Sequence, residues 1–259
     1  KKCNNQEQVA SSWSKLATIY TESNKPIEAA EALNNSVIAL VTLNDSTLLS
    51  AGYNDLADSY LKSKDYLKAL DYYSRAITIR KAQKDSSNWA LSVYALAGAY
   101  QNKTEYAKAI QAYDEALKIQ RKLKDKLNAA YSLSNLGLLA QMADNDYKKA
   151  NIYLSEAIKL ATELKDDYLL GYCYLRMKGL TRAQGNFKLS EDYINKTLVL
   201  YKKEKRPKDV AYVLAEMGND ASYVYGDNVK ALQLIDQAQV ISDTLTDIQL
   251  KAYLLGVRS

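Results

Sequence analysis

Apolar residues recur along the whole chain at i, i+3, i+4 and i+7, and this spacing predicts amphipathic helices throughout. Short polar turns, such as Lys64-Asp65, Thr104-Glu105 and Gln184-Gly185-Asn186, separate the apolar stripes into pairs. Within each pair one pattern returns. A large apolar residue is followed by Leu or Met three on and by a small residue next; Tyr often stands three later, Ala nine beyond that, and an apolar residue four further. The first three copies agree without a gap: Trp13, Leu16, Ala17, Tyr20, Ala29, Leu33; Tyr53, Leu56, Ala57, Tyr60, Ala69, Tyr73, Ala76; and Val93, Leu96, Ala97, Tyr100, Ala109, Tyr113, Ala116. The fourth (Leu133, Leu136, Gly137, Ala140, Ala150, Leu154, Ala157) and the sixth (Leu214, Met217, Gly218, Ala231, Ile235, Ala238) each carry one extra turn residue. The fifth keeps the spacing with Tyr174, Met177, Lys178, Thr181, Ser190, Ile194 and Thr197, but most of its small residues are gone.

First positions at 13, 53, 93, 133, 174, 214 and 254 give a period of 40, with 41 once. Such a period marks a repeat architecture in which each unit is one helical hairpin. The spacing divides the chain into hairpins at about 6–44, 45–84, 85–124, 125–165, 166–206 and 207–246, after a tail at 1–5. Residues 247–259 are then the first half of a seventh unit. The small residues let two helix backbones approach closely, and the large ones fill the space between successive hairpins. Lys84-Asp85, Lys124-Asp125, Lys165-Asp166 and Lys208-Asp209 recur between units, where they read as turn and helix-capping chemistry.

The repeated positions resemble the tetratricopeptide repeat signature of Trp, Leu-Gly, Tyr, Ala, Phe and Ala, over residues 6–259. Two departures stand out: the period exceeds the usual one of about 34 residues, and no unit has the closing Pro. In this the chain is similar to the long-helix arrays of kinesin light chains, Rap-type bacterial regulators and the sensor regions of bacterial signalling proteins. The resemblance implies an all-α, right-handed α-solenoid of stacked antiparallel hairpins whose first helices line a concave groove for a protein or peptide ligand.

Composition supports a folded, non-catalytic chain. Of 259 residues 47% are apolar and 25% charged, which is a globular balance. Nine Gly and two Pro suit long helices joined by compact turns. The absence of His removes the usual general base and the commonest metal ligand. There is no Gly-rich phosphate loop and no Cys-x-x-Cys, and Asp144-Asn145-Asp146 lacks the Gly and distal Glu of a calcium loop. No catalytic, cofactor-binding or metal-binding residue is therefore assigned. A net charge of +5, with acids interspersed among the lysines, gives no track for nucleic acid. No apolar run is long enough to span a membrane, so any membrane contact is expected through segments outside this chain. Cys3 and Cys173 lie far apart and are read as unpaired, Cys173 as a buried free thiol.

The family geometry turns certain positions of each first helix toward the groove. Those with binding chemistry are Asn54 and Asp58; Tyr94, Gln101 and Asn102; Tyr131, Asn135 and Gln141; Tyr172, Arg176 and Arg182; and Tyr212, Asn219 and Tyr223. Tyr131, Tyr172 and Tyr212 hold one inward position in three consecutive units, either as an aromatic ladder for ligand or as packing. Side-chain amides could bond a peptide backbone, and the two arginines could hold a carboxylate. The two-lysine, two-asparagine, one-arginine clamp of chaperone-binding members is not reproduced. Two roles fit: the sensory or regulatory input region of a larger bacterial signalling protein, such as a histidine kinase or transcriptional regulator, or a free-standing adaptor. The seventh unit stops without a polar cap, so the natural chain is expected to continue past Ser259, and terminal repeats offer a face for a homodimer. The location is left open between an extracytoplasmic and a cytoplasmic one.

Overall fold

The computed structural model describes residues 2–245 and 247–258, and among them every regular element is a helix. In order these are α1 (Lys2–Glu22), α2 (Pro26–Leu43), α3 (Ser46–Lys62), α4 (Tyr66–Ala82), α5 (Ser86–Asn102), α6 (Tyr106–Lys122), α7 (Lys126–Asp144), α8 (Tyr147–Leu164), α9 (Asp167–Ala183), α10 (Phe187–Lys203), α11 (Pro207–Tyr223), α12 (Asn228–Asp243) and α13 (Ile248–Arg258). Helices pair in chain order as antiparallel hairpins, so the all-α hairpin stack expected from the period is the fold observed. Helix α1 begins at Lys2 and takes in residues 2–5, which the sequence pattern leaves as a tail. Once a helix is nucleated, each added residue gains a hydrogen bond at little cost, so an apolar stripe is not needed to extend it.

The turns show why so few glycines suffice. Lys64, Lys84, Thr104, Lys124, Lys165 and Lys205 each adopt a left-handed conformation, with φ between 53° and 64°. After α3, Asp65 N–H bonds the Tyr60 carbonyl at 2.9 Å and Lys64 N–H bonds Leu61 at 3.1 Å, the paired bonds of a Schellman ending. The following aspartate caps the next helix. Asp85, Asp125 and Asp166 accept the amides of Asn88, Asn128 and Leu169 at 3.2, 3.1 and 2.8 Å. Lys208-Asp209 departs from the expected capping role, because both residues lie inside α11. Pro207 starts that helix, so the cap position falls to Arg206 and the left-handed turn to Lys205. Asp209 instead pairs with Arg206 at 3.3 Å in the first turn.

The chain forms two compact units, residues 1–132 and 133–259, and the division falls within α7. In the first unit, Ala17, Leu33, Val37 and Leu56 pack with Trp13 and Tyr53, and Ala57, Ala69, Tyr73 and Ala99 form a second cluster. In the second unit, Ala150, Leu154, Met177 and Leu180 pack together, as do Ile194, Tyr201, Leu214, Ala238, Leu250 and Leu254. The small positions are small for a geometric reason. A Cβ on Gly137 would stand 2.7 Å from Leu154 Cγ, and one on Gly218 would stand 2.9 Å from Ile235 Cγ1.

Candidate ligand-binding face

In the first unit, most of the polar residues expected on the first helices are held by neighbours. The Asn54 carbonyl oxygen on α3 accepts from Ser92 of α5 at 2.9 Å and from Arg80 of α4 at 3.3 Å. Arg80 is only 8% exposed and also donates to the Asn88 carbonyl at 3.0 Å; burial pulls its pKa below the ordinary value. Tyr113 donates to Gln101 at 3.2 Å and meets the Tyr94 ring edge-on at 5.3 Å. Asn102 is exposed and donates to Gly98 of its own helix at 2.8 Å. Tyr131, half-buried on α7, lies next to the last residue of this unit.

Tyr73 donates its hydroxyl to Asp58. Burial lifts the Asp58 pKa above its ordinary 3.8, against the lowering effect of that bond and of Lys62 and Arg80. A carboxyl raised in the folded state binds its proton more readily there than in the unfolded chain. Its contribution to stability is therefore greatest at low pH, and is lost as pH rises past the unfolded value through the raised folded one. Asp58→Asn keeps an oxygen for Tyr73 and removes the buried charge. We expect a higher thermal midpoint than wild type at pH 7 and no difference at acid pH, measured by circular dichroism melts across the carboxylate range. A lower midpoint at pH 7 would count against the assignment.

In the second unit the first helices α7, α9, α11 and α13 lie side by side and are joined by polar contacts. Tyr172 of α9 donates to Asn135 of α7 at 3.2 Å and accepts from Arg176 at 2.8 Å. The Arg176 guanidinium lies 4.9 Å from the Tyr172 ring centroid, and its Nε is buried without a hydrogen-bond partner. Asn135 is 5% exposed. Gln141 reaches the Gly179 carbonyl at 3.5 Å. Further along, Lys178 sits where the other five complete repeats have Ala or Gly, with only 6% of its side chain exposed. Its amine is 3.0 Å from Glu216 and 2.9 Å from Asp220 of α11, and Asp220 also takes Arg182. Tyr253 of α13 donates to Glu216 at 3.0 Å and packs its ring 5.2 Å from Tyr212. Burial alone would raise Glu216, but Lys178, the Tyr253 bond and Arg182 bring its pKa below the ordinary carboxylate value.

The expected residues thus divide. Asn135, Tyr172 and Arg176 come together as one polar cluster. Arg182, expected to share a carboxylate with Arg176, is committed to Asp220. Tyr212 packs against Tyr253 and the apolar cluster around Leu214. Asn219 is half-buried, and Tyr223 stands 82% exposed. Tyr131 belongs to the first unit, Tyr172 and Tyr212 to the second. Sequence reasoning missed Arg80, Asp220 and Tyr253 and gave Lys178 no role. The available signal was Lys178 itself, a charge at a position the repeat reserves for a small residue. Cys173 is buried beside Ser134 at 3.3 Å, and burial pushes its thiol up to about 11, so it stays protonated. The Cys3 side chain lies outside the described residues. Among the described residues no cluster has metal-ligand composition, and no helix is long and apolar enough to cross a membrane.

A family profile described as tetratricopeptide repeat matches residues 8–82 and 88–163, more than half of the chain. No curated protein matches the sequence. Among solved structures, aspartyl phosphate phosphatase F from Bacillus subtilis aligns with a TM-score of 0.80 at 17% identity, over 100% of this chain and 71% of that one. A Rap protein complexed with competence and sporulation factor aligns at 0.72 and 15% identity, over 93% and 65% of the two chains. BtubC (BKLC) from P. vanneervenii aligns at 0.65 and 19% identity, over 94% and 92%. At these identities the likeness is one of fold.

Proposed function

Because this chain belongs to the tetratricopeptide repeat family, we propose that it is a non-catalytic peptide-binding region, and that it serves as the input region of a larger bacterial signalling protein. Each of the six hairpins from 6–44 to 207–246 acts as one repeat of the array. The first helices of the second unit carry the ligand, with a carboxylate of an extended peptide seated on Arg176. One observation carries this reading. On the first helices α9 and α11, Lys178, Arg182 and Lys208 have carboxylate partners, whereas Arg176 has none among the described residues and keeps a buried, unpartnered Nε. A guanidinium nitrogen taken out of water without an acceptor costs free energy, and a carboxylate matches the guanidinium's fork of donors. Tyr172 and Asn135 hold that guanidinium in place before the ligand arrives. Support for a regulatory role comes from the likeness in fold to a Rap protein whose structure holds competence and sporulation factor.

The test is a peptide array in which each sequence is displayed with a free terminal carboxylate and again as the carboxamide. Peptides that bind should lose at least tenfold on amidation, and the same loss should follow Arg176→Gln with an unchanged melting curve. Binding indifferent to both changes would refute the site. Tyr172→Phe is the milder companion, since it removes the hydroxyl that orients Arg176 and leaves the ring beneath it.

A further inference from the structure

A cleft lies between the hairpins α9/α10 and α11/α12, near their turns. Ile194, Ala221 and Leu234 form its apolar floor, and Glu191 and Lys230 stand at its mouth 3.6 Å apart. The repeat itself explains why the space is there. Tyr20, Tyr60 and Tyr100 stand seven residues after the first motif position of their repeats, and Tyr66, Tyr106, Tyr147 and Phe187 begin the second helices. In the sixth repeat these two positions are Ala221 and Asn228, so both rings are gone. The fourth and fifth repeats also lack the first ring, with Ala140 and Thr181, but keep the second: Tyr147 packs against the cluster around Ala140, and Phe187 begins α10.

The residue that accompanies the missing ring has stayed. Lys68, third in α4, lies 4.9 Å from the Tyr60 ring centroid, and Lys108, third in α6, lies 5.5 Å from that of Tyr100. Lys230 is third in α12, and its counterpart to those tyrosines is Ala221. The extra residue in the α11–α12 turn meanwhile carries Tyr225 across to α10, where its hydroxyl is 3.4 Å from Glu191 and 3.5 Å from the Phe187 carbonyl. The cleft thus has a cation above the place of the missing first ring, a hydrogen-bond acceptor at its edge, and Phe187 and Tyr225 along its wall.

We infer that this cleft binds a small molecule with one aromatic ring and a donor at the ring's edge, a phenol or an indole, seated as Tyr60 and Tyr100 seat their own rings. The ring lies under the Lys230 ammonium, and the donor turns toward Glu191. This site is independent of the peptide face on Arg176. Calorimetric titration of the whole chain with p-cresol and with indole should show one site. Lys230→Gln, at a half-exposed position that leaves the fold intact, should weaken it about two- to fivefold. Ala221→Tyr, which supplies the ring covalently, should cut binding at least tenfold and raise the melting temperature. The proposal is overturned if neither compound binds, if binding survives Ala221→Tyr, or if 4-methylcyclohexanol, of like shape without a π face, binds as tightly. Acetyl-tyrosinamide binding where p-cresol does not would assign the ring to a polypeptide and overturn the small-molecule source.

Discussion

Ala109→Leu should destabilise the first unit by about 3 kcal/mol, at the upper end of what overpacking a filled core costs. Ala109 and Ala97, the small residues of the two helices of one hairpin, are both fully buried. An isobutyl group there has no cavity to enter, so the α5/α6 hairpin must open or its side chains must leave their rotamers. Ala107→Leu is the control, because Ala107 lies two residues earlier on the exposed side of α6. The same added volume at that position should change stability by no more than about 0.5 kcal/mol. Urea unfolding of the two variants decides the matter. Equal midpoints would mean that the hairpin is not close-packed at its small positions. Ala69→Leu should repeat the result one hairpin earlier, since Ala69 is likewise fully buried.

Asp220→Ala should be nearly as costly, at about 2–4 kcal/mol, because it leaves the Lys178 ammonium in a site from which water is largely excluded. Glu216 stays 3.0 Å away but is itself 44% exposed, which keeps the loss below that of an unpartnered buried charge. The double variant Lys178→Ala, Asp220→Ala should recover most of the stability. Alanine is what the repeat carries at this position in Ala17, Ala57 and Ala97, and removing both charges leaves neither buried alone. Additive losses in this double-mutant cycle would show that the two side chains do not act as a pair. Acidification should bring a related loss. The Glu216 pKa is depressed in the fold, so its contribution is present above the unfolded pKa and disappears as pH falls through the lower folded value.

The all-α hairpin architecture and the small-residue positions were legible in the sequence because a repeat states the same packing requirement many times. Leu56, Leu96, Leu136 and Met177 recur at one spacing because each must fill the same gap, and the alternation of turn and cap at Lys84-Asp85 and Lys124-Asp125 marks the chain reversals. At Lys208-Asp209 the same dipeptide misled, since Pro207 moved the helix start and the local pair followed it.

The candidate face was legible only in part. Family geometry placed Asn135, Tyr172 and Arg176 on neighbouring first helices, which is a matter of register. Whether a polar side chain there is free for a ligand depends on which partner reaches it, and those partners lie in other repeats: Asp220 is 38 residues from Arg182, and Tyr253 is 37 from Glu216. Periodicity fixes which face a residue occupies, because that follows from the local helix. It cannot say that Arg182 is spent on Asp220 while Arg176 is not, or that the loss of a ring at Ala221 leaves a cleft under Lys230, since pairing and empty volume come into being only when separate hairpins are brought into contact.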